Sequence, residues 1–137
     1  MQHTGRRSIL VVEDDAGIRC AVARILEADR YAVVQAVNGR EGLRLARLSR
    51  PDLVWLDLDM PVMDGFEMLR RLRRNPSTAR IPALLCTALS LSERQVEDSG
   101  AQGYLQKPVS AGAVRSAVRA LLAAGSLQSS PAWNGRR

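Results

Sequence analysis

Short apolar runs alternate with helix-length amphipathic stretches five times along the chain, the pattern of a domain whose parallel strands are joined by helices. The runs are Ser8 to Val12, Ala32 to Ala36, Leu53 to Leu56, Ala83 to Cys86 and Gly103 to Leu105. The first, third and fourth are apolar without alternation, which predicts strands buried on both faces; the second and fifth carry weaker strand signals. Ile18, Val22, Ile25 and Leu26 recur at i, i+4, i+7 and i+8, and Val114, Ala117, Val118 and Leu121 at i, i+3, i+4 and i+7. Each set predicts a helix with one face in the core. Asn38 with Glu41 three residues on has the form of a capping box and opens a second helix. Phe66, Leu69 and Leu72 mark a third, whose other side carries Arg70, Arg71, Arg73 and Arg74 and reads as solvated. Ser90 to Asp98 has only Leu91 and Val96 as apolar positions, so the fourth helix is the poorest packed and the best suited to move. After Ala124 the composition turns to Gly, Ser, Pro and Asn without periodicity. The expected organisation is a basic segment over 1–7, one domain over 8–124 and a flexible tail over 125–137.

Composition narrows the class. A chain of 137 residues that is 46% hydrophobic suits a single globular domain with its own core, and leaves no room for an output domain. No apolar run reaches the roughly 18 residues of a membrane span, and the polar start lacks the apolar centre of a secretion signal, so the cytoplasm is the expected compartment. Cys20 and Cys86 are too far apart for a metal knuckle and read as core thiols. The net charge of +6 divides unevenly. Arg6, Arg7, Arg136 and Arg137 supply most of it, while residues 8–124 carry sixteen cations against fourteen acids. A nearly balanced body is not the footprint of a nucleic-acid binder. Of the twenty Lys and Arg residues, nineteen are arginine; the exception is Lys107, directly before Pro108. Lysine is a compact ammonium on a flexible stem, which reaches one oxygen as a point charge where a guanidinium fork would crowd the pocket.

In a doubly wound parallel sheet the ligand site lies at the carboxyl ends of the strands, where the strand order reverses. The residues that follow the apolar runs here are Glu13, Asp14 and Asp15, then Asp57 with Asp59, then Thr87, then Lys107. Clustered carboxylates repel one another unless a cation joins them, and Mg²⁺ suits a site offering carboxylate oxygens and water. Asp15 by itself reads as a helix cap. Asp57 ends the run Leu53-Val54-Trp55-Leu56, where a carboxylate without a partner is costly, and so reads as chemistry.

These residues in this order resemble the receiver domain of two-component response regulators, of the stand-alone chemotaxis-regulator type. The resemblance spans residues 8–124. It rests on Val11-Val12-Glu13-Asp14-Asp15, on Asp57-Leu58-Asp59-Met60-Pro61-Val62-Met63-Asp64-Gly65, on Thr87-Ala88 and on Tyr104-Leu105-Gln106-Lys107-Pro108. It implies a flavodoxin-like α/β fold, a doubly wound five-stranded parallel sheet of order 2-1-3-4-5 with five helices. It further implies that Asp57 is the phosphoacceptor, taking a phosphoryl group from a sensor histidine kinase, a histidine phosphotransfer protein or a small acyl phosphate. Mg²⁺ would be held by Asp14, Asp57 and the backbone carbonyl of Asp59, with Glu13 orienting a bound water. Lys107 would reach the acceptor carboxylate before transfer and the phosphoryl group after it, before a peptide bond that is commonly cis in the family. Thr87 would sense the phosphoryl group and Tyr104 would rotate from exposed to buried, presenting the fourth helix, fifth strand and fifth helix to a downstream protein. Arg94, Tyr104, Gln106 and Val109 are the expected contacts there. Membrane insertion and nucleic-acid binding are not expected, nor is enzymatic turnover beyond self-catalysed phosphorylation and dephosphorylation.

Two positions are not settled by the resemblance. The Asp59 carboxylate is open between repelling the donor, steering water and hydrogen-bonding outward. Leu89 places an apolar group near the path of attacking water and is expected to slow hydrolysis. Two other readings compete. Asp57-Leu58-Asp59 also resembles the paired aspartates of haloacid dehalogenase-type phosphatases, although Met60-Pro61 departs from that motif and the chain is short for a cap. Alternatively the body is a phosphorylation-dead receiver whose basic ends grip a partner. Met1 and the arginines at the far end have the look of natural termini.

Overall fold

The computed structural model describes residues 5–60 and 63–127. The elements run β1 (Ser8–Val12), α1 (Ala16–Ala28), β2 (Ala32–Ala36), α2 (Gly39–Ser49), β3 (Leu53–Asp57), α3 (Gly65–Arg74), β4 (Ala83–Thr87), α4 (Glu93–Ser99), β5 (Gly103–Gln106) and α5 (Ala111–Leu127). The strands form one parallel sheet in the order β2-β1-β3-β4-β5, so the chain winds outward from β1 to one edge, returns, and winds to the other. This is the flavodoxin-like architecture expected from the sequence.

The uninterrupted apolar runs have a physical reason: each strand feeds two cores. From β1, Leu10 and Val12 point into a core shared with Leu43, Ala46, Met68, Leu69 and Leu72 of α2 and α3. Ile9 and Val11 point into the other, with Val22 and Leu26 of α1 and Val114, Val118 and Leu121 of α5. β3 and β4 are buried at every position, whereas the edge strands β2 and β5 are only partly so, which is why their signal was weaker. β3, β4 and β5 each extend one residue beyond its apolar run. Asp57 pairs with Cys86 and Thr87 with Gln106, because backbone pairing continues regardless of side-chain polarity.

Several expectations change. The core stripe of α1 is Val22, Ala23 and Leu26, with Ile25 partly buried against the same core, while Ile18 is exposed. Cys20 lies well round the helix from that stripe and is exposed, so only Cys86 is a core thiol. The arginine side of α3 is not wholly solvated. Arg73 turns under the end of α4 and donates to Gly100 O through Nε and Nη2 at 3.0 and 2.9 Å, to Ala79 O at 3.1 Å, to Ile81 O at 2.8 Å and to Gln102 Oε1 at 2.9 Å. α4 begins at Glu93 rather than Ser90, because Ser92 and Gln95 form a reciprocal capping box there. Val96 is its one buried residue. In α2 Asn38 accepts from Glu41 N, but the Glu41 carboxylate reaches back to Val37 N. α5 continues past Ala124, so 125–127 are helical rather than tail, as cooperative backbone bonding favours. Residues 1–4 of the basic segment, 128–137 of the tail, and Pro61 and Val62 of the loop motif lie outside the described residues. No helix among the described residues is long and apolar enough to cross a membrane.

Candidate functional site

The order reversal between β1 and β3 sets the site. Val12 and Leu56 are register partners, so Glu13 and Asp57, one residue further on, emerge side by side at the carboxyl end of the sheet. Both are almost fully buried. Asp14 is exposed beside them, and oxygens of Glu13, Asp14 and Asp57 lie within 4.8 Å of one another. Asp15, expected as a cap, accepts from Ile18 N at 2.9 Å and starts α1. Gly65 lets α3 begin against the acceptor, since a Cβ there would stand 2.7 Å from Asp57 O and 2.9 Å from Leu58 Cα.

Lys107 reaches this cluster from the end of β5. Its Nζ donates to Asp57 Oδ1 at 3.1 Å and lies 3.6 Å from Glu13 Oε1. The Lys107–Pro108 peptide is cis. Asp57 Oδ1 also accepts from Asp59 N at 3.0 Å, so two donors orient the carboxylate. Burial pulls the Lys107 ammonium down, but the hydrogen bond to Asp57 and the charges of Glu13 and Asp57 outweigh it and hold the group above the ordinary lysine value. Burial, followed by the Asp57 charge, pushes the Glu13 carboxyl up to about 7, against the opposing pull of the Asp15 N–H and Lys107. Cys86, behind the cluster, is pushed by burial up to about 12 and stays a thiol.

The residues present fit a hard divalent cation. Glu13 Oε2 accepts from Asp15 N at 3.2 Å, whereas Oε1 is buried without a hydrogen-bond partner. An orphaned carboxylate oxygen among three converging acids, with one ammonium for compensation, is the environment an oxygen-seeking cation relieves.

A second group forms one strand further along. Thr87, fully buried, donates its hydroxyl to the Asp59 carboxylate, 3.0 Å from Oδ2 and 3.2 Å from Oδ1, and accepts from Leu89 N at 3.1 Å. Ala88 N makes a longer bond to Asp59 Oδ2 at 3.4 Å. Asp59 therefore points at Thr87, and none of the three roles left open for it describes that contact. Tyr104 is half-buried; its hydroxyl donates to Leu89 O at 2.6 Å and accepts from Leu91 N at 3.1 Å. Gln106 Nε2 donates to Ala88 O at 3.2 Å. The loop between β4 and α4 is thus held from β5. Arg94 is exposed on α4, Gln106 is exposed on β5, Val109 is half-buried, and Leu89 is 52% exposed.

Sequence reasoning missed the Arg73 clamp and the Asp59–Thr87 bond. A single arginine among four gives no signal of its own. The separation of 28 residues between Asp59 and Thr87 becomes contact only through the β3–β4 pairing.

Comparison with known proteins agrees with this geometry. The response regulator receiver domain profile matches residues 9–119. The DNA-binding dual master transcriptional regulator RpaA of Synechocystis sp. is 45% identical over 116 residues, covering 83% of this chain and 48% of RpaA. The chain spans about half the length of the curated relatives it first matches. Chemotaxis protein CheY4 of Vibrio cholerae superposes with a TM-score of 0.80 at 30% identity, covering 85% of this chain and 98% of that one. The receiver domain of sensor histidine kinase PA1611 from Pseudomonas aeruginosa PAO1, solved with a magnesium ion coordinated in its active site cleft, superposes with a TM-score of 0.80 at 25% identity, covering 87% and 99%. With an acidic pocket at the switch point of a 2-1-3-4-5 sheet and a sequence match from Ile9 to Arg119, the chain belongs to the response regulator receiver domain family of two-component signalling.

Proposed function

We propose that the chain accepts a phosphoryl group on Asp57 and passes the signal by contact through the face made by α4, β5 and α5. The observation that carries this reading is the bond from the chain's single lysine to the buried carboxylate at the end of β3. A carboxylate oxygen of Asp57 attacks the phosphorus of a phosphohistidine on a sensor kinase or phosphotransfer protein. The P–N bond breaks as the acyl phosphate P–O bond forms, and the imidazole nitrogen leaves with the electron pair. Such transfer needs alignment and charge neutralisation more than covalent assistance. Lys107 orients the acceptor and offers its remaining N–H donors to the phosphoryl oxygens.

Asp14, Asp57 and the Asp59 backbone carbonyl would hold Mg²⁺, with Glu13 orienting a bound water; the converging oxygens of Glu13, Asp14 and Asp57 and the magnesium ion in the active site cleft of the PA1611 receiver support a magnesium site here. When bound, the ion supplies further neutralisation of phosphoryl charge. Thr87 is the group that registers the phosphoryl oxygen, and Tyr104 couples the loop after Thr87 to β5. α4, with Val96 as its one buried residue, has the least packing into the core, although Arg73 holds its C-terminal end.

Incubation with acetyl phosphate and Mg²⁺ followed by intact mass tests the reading. One labile phosphoryl group is expected, absent from Asp57→Asn. Many turnovers without a labelled chain would indicate a phosphatase, and an unlabelled wild type a binding module.

A further inference from the structure

Asp59 occupies the donors that a phosphoryl group on Asp57 would use. A hydroxyl has one proton to donate, and that of Thr87 is shared between the two oxygens of Asp59. Leu89 N–H donates to Thr87 Oγ1, so the bonds run in series from Leu89 through Thr87 to Asp59, each polarising the next. Ala88 N–H closes the same carboxylate from the side. Thr87 is fully buried, which leaves no water to compete for its proton.

We infer that Asp59 is a placeholder for the phosphoryl group: its carboxylate holds the Thr87 hydroxyl in the unmodified chain and must be evicted before Thr87 can engage a phosphoryl oxygen. The inference rests on the phosphoacceptor reading of Asp57 and adds a regulatory residue to it. Two anions cannot share one hydroxyl proton, and their repulsion at close range, though screened by solvent at the exposed Asp59, adds to the loss. Phosphorylation therefore exchanges one acceptor of Thr87 for another instead of recruiting an idle hydroxyl. The chain carries an internal threshold, set by a charge-assisted hydrogen bond, that a stable phosphoryl state must exceed.

The test uses trifluoroberyllate with Mg²⁺ as a phosphoryl stand-in, its binding followed by ¹⁹F NMR, on wild type, Asp59→Asn, Thr87→Val and the double variant. Asp59→Asn is expected to tighten binding about tenfold in the wild-type background but only about twofold beside Thr87→Val, where no hydroxyl is left to release. Equal gains in both backgrounds would mean that Asp59 acts by charge alone and would overturn the placeholder. Amide hydrogen exchange in the unliganded chain gives an independent reading. Asp59→Asn should speed exchange at Ala88 and Leu89 severalfold, and unchanged rates would also overturn it. If no chain binds trifluoroberyllate, the phosphoacceptor reading fails and takes the competition with it. Binding with additive effects sinks the competition alone.

Discussion

Two half-buried cations mark opposite uses of the same charge. Arg73 lies beneath the end of α4 with its fork satisfied by the carbonyls of Gly100, Ala79 and Ile81 and by Gln102, which also accepts from Ala83 N at 2.9 Å. Lys107 lies at the carboxyl end of the sheet, its ammonium making one hydrogen bond, to Asp57, with donors to spare. Burial lowers the Arg73 pKa, while partner carboxylates raise that of Lys107. The planar guanidinium suits an arrangement of fixed acceptors; the slender ammonium suits a pocket whose occupant changes. Gly100, at φ 88°, sits where a side chain would be strained, so the α4 end is held by a glycine turn and an arginine together.

The sharpest way to break this comparison is Lys107→Arg. The fold should be retained, but phosphoryl transfer from acetyl phosphate should slow about a hundredfold and signalling to a partner should be largely lost. Transfer at the wild-type rate, read by intact mass over time, would show that any cation suffices there. Arg73→Ala should do the reverse, lowering stability by about 3 kcal/mol, or about 10 °C in Tm, while folded protein still labels on Asp57. A melting curve within a degree or two of wild type would reduce Arg73 to a surface residue.

The acidic pocket should also show in stability against pH. Glu13 is raised from its ordinary range to about 7, so the metal-free folded chain binds more protons than the unfolded chain between about pH 4.5 and 7. Its contribution is fully present below that window and is lost as pH rises through 7, by up to about 3 kcal/mol. Urea denaturation in chelator at pH 5 and pH 8 measures this slope, and Glu13→Gln should flatten it. A flat wild-type profile would place the Glu13 carboxyl in the ordinary range. The smallest effect belongs to the loop beside Thr87. Leu89→Asn should shorten the lifetime of the phosphorylated chain severalfold by admitting water, and an equal lifetime would remove Leu89 from the site.

Strand positions were readable because a run buried on both faces has to be apolar throughout, and β1 begins and ends where the pattern places it. The acids and the lysine were readable for a related reason: at the end of an apolar strand a charged residue stands out. Helix faces were less legible. Ile18 has the spacing of a core residue but lies in the first turn of α1, short of the sheet-facing stripe. Arg73 looks like its three neighbours, and only the docking of α4 and β4 beneath α3 distinguishes it.

The sequence by itself determined the parallel α/β class, the order of its elements and the identity of the polar residues at the strand ends. These are properties of local period and of burial, which each segment carries within itself. The tertiary structure decided which of those residues meet. Lys107 and Asp57 are 50 positions apart, and Thr87 and Asp59 are 28; they touch because β3, β4 and β5 are neighbours in register. Period says that a residue faces inward, and strand register says whom it faces. That difference separated the carboxylate of Asp57, which the lysine side chain reaches across two strand-ends, from that of Asp59, which holds Thr87, whose carbonyl accepts from the lysine's own backbone N–H at 2.8 Å.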